Sequence, residues 1–166
     1  MRTSLLLPLA LVAALGACSG DSAPTTFSDP IAAMDAADSA KAAGDSEAAK
    51  AGYDYALQNG DDSLKGDAMM GLFEMNIASG DESAALANFE RMSADFADSL
   101  NQESLQNMVD LSIPAAMVDL GEAMLAYAVG QYPEMAKTLA NASLALEKIK
   151  TEGPGADLSG LGYAGD

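Results

Sequence analysis

The chain has 166 residues, 49% of them hydrophobic but only 5% aromatic and none Trp; much of the apolar content is Ala, and Val, Ile and Thr are scarce, which favours one modest core of closely packed helices over a sheet. A net charge of −17 repels phosphate backbones, and no Lys/Arg cluster offsets it, which argues against nucleic acid and against electrostatic adhesion to anionic head groups. There is no His, which removes the usual general base, the commonest metal ligand and every His-dependent triad.

Residues 1–17 begin Met-Arg-Thr-Ser and continue from Leu5 to Ala17 without a charge. A positive start followed by a short apolar run predicts a signal peptide, since a spanning helix needs about 20 apolar residues. The run ends in Leu15-Gly16-Ala17-Cys18, which resembles the lipobox of bacterial lipoproteins: an aliphatic residue, two small residues and the cysteine at the cleavage point. The resemblance implies a diacylglyceryl group on Cys18, cleavage that leaves Cys18 as the new N-terminus, and a membrane as the first partner. Cys18 is the sole cysteine, so a lipidated chain would carry no free thiol, as suits an oxidising compartment. By the sorting behaviour of that family, Ser19 implies the outer membrane, facing the periplasm. Acyl chains contribute about 0.8 kcal/mol per buried CH₂, so two or three would hold the domain firmly.

Ser19 to Ser28 is small and polar and reads as the rest of a tether over 18–28. Asp29-Pro30 predicts a helix start, Asp29 capping and Pro30 occupying the first helical position. The pattern then predicts helices over about 30–43, 46–58, 62–79 and 82–97, punctuated by Gly44, Asn59-Gly60-Asp61 and Gly80. A shorter segment opens at Asn101 with Leu105, Met108, Val109 and Ser112 inward, and Pro114 breaks it. Two further helices are expected over about 115–129, closed by Gly130, and 133–151. Five glycines and Pro154 between Gly153 and Asp166 predict a disordered tail over 153–166, leaving 29–152 as the folded domain of an all-α protein.

A local phrase returns along that domain. A turn glycine is followed five residues on by a small or apolar residue, then four and three residues on by two more, in Gly44-Ala49-Tyr53-Ala56, Gly80-Ala85-Phe89-Met92 and Gly130-Met135-Leu139-Ala142. The first set resembles the second half of a tetratricopeptide repeat, and the resemblance implies antiparallel helix pairs stacked into a short α-solenoid. The aromatic expected early in each first helix is replaced by Ala33 and Met69, no proline closes a repeat, and the glycine spacing changes from 36 to 50, so that the segment around 98–113 reads as an insertion or an unmatched helix. A compact helical bundle with recurring Gly-Asp turns is the alternative.

No catalytic constellation is present, so the sequence predicts no enzyme and no cofactor. Asp61-Asp62, or Asp35 with Asp38, lack the spacing of a calcium loop and read as helix caps. Met69, Met92, Met124 and Met135 fall at core positions, where methionine is an adaptable filler rather than a copper ligand. Tyr53 matches a packing position, whereas Tyr55 is freer to line a peptide groove. The functional expectation is a lipid-anchored, non-catalytic scaffold for a protein or peptide partner. The competing one is a small-molecule or ion-binding lipoprotein with a pocket inside a bundle.

Overall fold

Five helices of the domain start on side chains that cap their own first turn. Asp29, Asp45, Asp61, Asp81 and Asn101 accept hydrogen bonds at 2.9–3.0 Å from the backbone N–H three residues on, satisfying donors that no preceding turn can reach. In the computed structural model, which describes residues 26–163, these caps open α1 (Pro30–Ala42), α2 (Ser46–Asn59), α3 (Asp62–Ser79), α4 (Glu82–Asp95) and α5 (Gln102–Ser112). Then come α6 (Val118–Gln131), a single turn α7 (Met135–Thr138) and α8 (Ala140–Glu152), with short 3₁₀ turns at Ala97–Ser99 and Ser159–Leu161. The protein is all-α, with no strand among the described residues. None of the described helices is long and apolar enough to cross a membrane.

The second helices of three successive pairs keep strict register. Each of α2, α4 and α6 has 14 residues, and Ser46, Glu82 and Val118 follow one another at intervals of 36. The turns before them share one geometry. Gly44 and Gly80 lie in the left-handed region at φ +77° and +76°, and so does Ala116 at φ +54°. At each turn this residue donates to the carbonyl three back (Lys41, Ile77, Ile113), and the next residue donates to the carbonyl five back (Ala40, Asn76, Ser112). These paired bonds close a helix C-terminus and lead the chain into the next helix. The next residues, Asp45, Asp81 and Met117, also share their backbone angles, φ −84° to −89° and ψ 80° to 83°.

Two expectations change accordingly. Gly130 lies inside α6 rather than in a turn, and the segment 98–113 is neither an insertion nor an unmatched helix, since α5 within it keeps the 36-residue interval of α1 and α3. The third turn escapes a glycine search because Ala116 occupies the position that glycine holds in the other two. Buried positions follow the same interval. Ala33, Met69 and Leu105 are buried, as are Ala37, Phe73 and Val109, then Ala49, Ala85 and Gly121, and then Ala56, Met92 and Ala128. Met117 cannot cap as Asp45 and Asp81 do. The donor left over, the N–H of Leu120, is taken at 3.2 Å by Glu82 Oε1 from the start of α4.

Packing follows chain order, α1 on α2, α2 on α3, α3 on α4, α4 on α6, α5 on α6 and α6 on α8. The apolar residues form two clusters. A small one of Ala37, Ala49, Tyr53, Ala56 and Ala68 joins α1, α2 and α3. A larger one runs from Met69 and Phe73 through α4, α5 and α6 to Leu146 and Ile149 of α8. The alanines of the first cluster let backbones come close. At Gly52, a Cβ would sit 2.6 Å from the Ala33 carbonyl oxygen and 2.8 Å from Ala37 Cβ, so only glycine permits that approach of α2 to α1.

The helix expected over 133–151 is broken at Leu139, whose backbone leaves the helical region (φ −88°, ψ 2°) between α7 and α8. In α8, Ala142, Ala145, Leu146 and Ile149 are buried at the spacing of Leu105, Met108, Val109 and Ser112 in α5, so α8 covers α6 as a further first-type helix. The tail expectation fails for residues 153–163. Leu158, Leu161 and Tyr163 pack against the larger cluster, because three apolar side chains over six residues supply contacts that outweigh the glycine and proline around them.

Candidate binding surfaces

Cys18, the predicted lipid attachment residue, lies outside the described residues, as does the signal peptide expected over 1–17. Of the tether expected over 18–28, residues 26–28 are among those described, and the Phe27 ring packs on Tyr55 at a centroid distance of 5.3 Å. Tyr55 is therefore half-covered by its own chain. Tyr53 is a core residue with no exposed surface, and its hydroxyl donates to Asp38 Oδ1 at 2.6 Å.

The acids singled out in the sequence do not converge. Asp61 caps α3, Asp62 faces Lys65 at 3.7 Å, Asp38 accepts from Tyr53, and Asp35 is exposed. Among the described residues no group of three acidic, His or Cys side chains is placed to hold a metal ion. Met69, Met92, Met124 and Met135 are buried in the larger cluster beside Leu, Phe and Val side chains, where their thioethers fill space.

One acidic position recurs with the 36-residue interval. Asp38, Glu74 and Asp110 occupy equivalent places on α1, α3 and α5, and each accepts a hydrogen bond from elsewhere in the chain. Asp38 takes the Tyr53 hydroxyl, Glu74 takes Lys41 Nζ at 2.7 Å, and Asp110 takes the Tyr163 hydroxyl at 2.9 Å. Lys41 also sits over the Tyr53 ring, 5.8 Å from its centroid. Burial works against the Lys41 ammonium, but Glu74 and the Tyr53 hydroxyl hold its pKa above the usual lysine value. Burial and the bond to Asp38 push the Tyr53 phenol up to about 12, against the opposing pull of Lys41. These groups tie α1, α2 and α3 together, and none has the exposed nucleophile or poised base of a catalytic centre.

Two surface hollows are candidates for a partner. A cleft of about 460 Å³ between the start of α3 and the end of α4 is edged by Asp62, Asp95, Asp98, Ser63 and Ser99. Two of these acids face basic side chains nearby, Asp62 with Lys65 and Asp95 with Arg91, both at 3.7 Å. The other hollow, about 450 Å³, is a groove between α6 and the α7–α8 break. It is lined by Leu125, Val129, Leu139 and Leu144 with Ala136, Ala140 and Ser143, and it carries no charged side chain. Leu144 is 56% exposed and Val129 37%. On a chain this acidic, such an uncharged apolar strip is the surface best suited to another protein.

Sequence reasoning missed this groove because Leu144 and Val129 lie off the buried stripes of their helices, and because the break at Leu139 that opens it has no glycine or proline signal. No protein-family model matches the chain, and no curated protein or solved structure matches it significantly.

Proposed function

We propose that the protein is a lipid-anchored, non-catalytic interaction module of the cell envelope. A diacylglyceryl group on Cys18 would hold a short tetratricopeptide-like array of antiparallel helix pairs at the membrane, and the array would engage a protein or peptide partner. The observation that carries this reading is the repetition of one turn geometry at Gly44, Gly80 and Ala116. Chains built from a single repeated helix pair present extended surfaces and bind partners through them. The Leu15-Gly16-Ala17-Cys18 run supports the anchor, and anchoring raises the local concentration of module and partner without new contacts. The uncharged groove between α6 and α8 supports a protein partner over an ionic one. Acidity elsewhere on the surface keeps the module from nucleic acid and from anionic head groups.

Site-specific photocrosslinking in a Gram-negative host tests the proposal. A photoreactive residue at Leu144 or Val129 is expected to give one discrete adduct that the same residue at exposed Gln58 does not give. Equal labelling from all three sites, or none from the groove, would overturn it.

A further inference from the structure

The segment after α8 folds back onto the domain. The chain leaves α8 through Gly153 in a positive-φ conformation (+93°) and passes Pro154 and Gly155. Asp157 then accepts from the Ser159 N–H at 3.1 Å and the Ser159 hydroxyl at 2.7 Å, fixing a tight turn. The 3₁₀ turn that follows rests on α8, and the Asp157 carbonyl accepts from Lys148 Nζ. Beyond it, Tyr163 reaches α5, where its hydroxyl donates to Asp110 Oδ1, which is also held by Gln106 at 3.0 Å. Leu158, Leu161 and Tyr163 are all half-buried against the larger core cluster. Asp110 is the third member of the acidic position shared with Asp38 and Glu74, and the one of the three that takes, besides Gln106 of its own helix, a partner from outside the three helix pairs.

The geometry points to a peptide-binding surface on α5 and α8 that the chain's own residues 156–163 occupy in the free protein. The partner that fits is a short segment able to take the same 3₁₀ turn, with two leucine-like side chains three residues apart and a tyrosine two residues further on, its hydroxyl directed at Asp110. This rests on the interaction-module reading and adds to it a second surface, separate from the groove between α6 and α8, with the chemistry of its own partner segment and a self-blocked resting state. The contact is polar at both ends, with Lys148 on the Asp157 carbonyl and Tyr163 on Asp110, and the Gly153-Pro154-Gly155 connection contributes no helix that would have to unfold on release. A tethered segment of this length acts at an effective concentration of about 1 mM. A contact too weak to persist between separate molecules therefore stays closed until a tighter partner competes.

The test uses the full chain with Leu158→Ser, Leu161→Ser and Tyr163→Ser combined, and a fluorescent synthetic peptide of residues 155–166 as probe. The released chain is expected to bind the peptide saturably and at least tenfold more tightly than the wild type. Adding Asp110→Asn to the released chain should weaken that binding about tenfold. Equal binding by released and wild-type chains would overturn the proposal. So would loss of helical circular dichroism in the released chain, because the segment would then be a structural cap rather than a ligand. A second variant, Tyr163→Phe alone, leaves the packing in place and should raise peptide binding less than the triple variant does. The readout requires neither lipid nor native partner, so failure here is distinguishable from failure of the anchored-module reading.

Discussion

Ala116 offers a sharp perturbation, because the account gives it the conformation of Gly44 and Gly80 with a side chain attached. A left-handed residue bearing a Cβ costs about 1–2 kcal/mol, and glycine relieves that while adding about 0.4–1 kcal/mol of unfolded-state freedom. Ala116 is also half-buried against the larger cluster, so loss of its methyl removes at most about 0.8 kcal/mol of burial. The balance for Ala116→Gly is near zero to slightly stabilising, up to about 0.5 kcal/mol. For Gly44→Ala and Gly80→Ala the same terms reverse without the burial contribution, since a Cβ at either position meets nothing within 4 Å. Each should cost about 0.5–1 kcal/mol. For a folded unit of about 140 residues, 1 kcal/mol moves Tm by roughly 3–4 °C, so thermal melts followed by circular dichroism resolve the difference. An Ala116→Gly variant that loses about 1 kcal/mol, as an exposed mid-helix Ala→Gly change does, would refute the equivalence of the three turns.

Glu82→Ala should destabilise by about 1 kcal/mol in urea unfolding, as loss of an N-cap does, because it frees the Leu120 N–H; Glu82→Gln, which keeps an acceptor, should lose less. Tyr53 is neutral in the fold up to a pKa of about 12 against an unfolded value near 10. Its contribution is thus fully present below pH 10 and is lost as pH rises towards 12, a loss on the order of 2 kcal/mol. Tyr53→Phe should flatten that part of the stability–pH curve measured in urea, and an unchanged curve would contradict the burial of the phenol and its bond to Asp38 as the cause. Gly52→Ala should separate α2 from α1 and cost about 1–3 kcal/mol, read as earlier urea unfolding with greater hydrogen exchange in α1.

The caps and the first two turns were legible because each rests on a local rule. Asp45 and Asp81 cap, and Gly44 and Gly80 lead the chain into the next helix, whatever the rest of the protein does. The third pair was hidden because both of its signals changed together. Ala116 replaces the glycine, Met117 replaces the aspartate, and the missing acceptor comes from Glu82, 38 residues earlier, which no local pattern reveals. Gly130 then attracted the third phrase although it sits inside α6. The end of the chain failed for a related reason. Glycine and proline report local freedom, whereas Tyr163 is held by Asp110, 53 residues away. The packing role of Tyr53 could be read from its spacing; its bond to Asp38 could not. The proposed lipid site rests on a sequence motif alone, and the apolar groove on the fold alone.

The most direct test of the anchored module is the intact mass of the full chain expressed in a Gram-negative host, beside a Cys18→Ala variant. The account predicts that the wild type loses residues 1–17, gains the mass of a diacylglyceryl group with or without a further acyl chain, and fractionates with membranes, while the variant gains no acyl mass. A wild-type chain that is cleaved without acylation, or not cleaved at all, would contradict it.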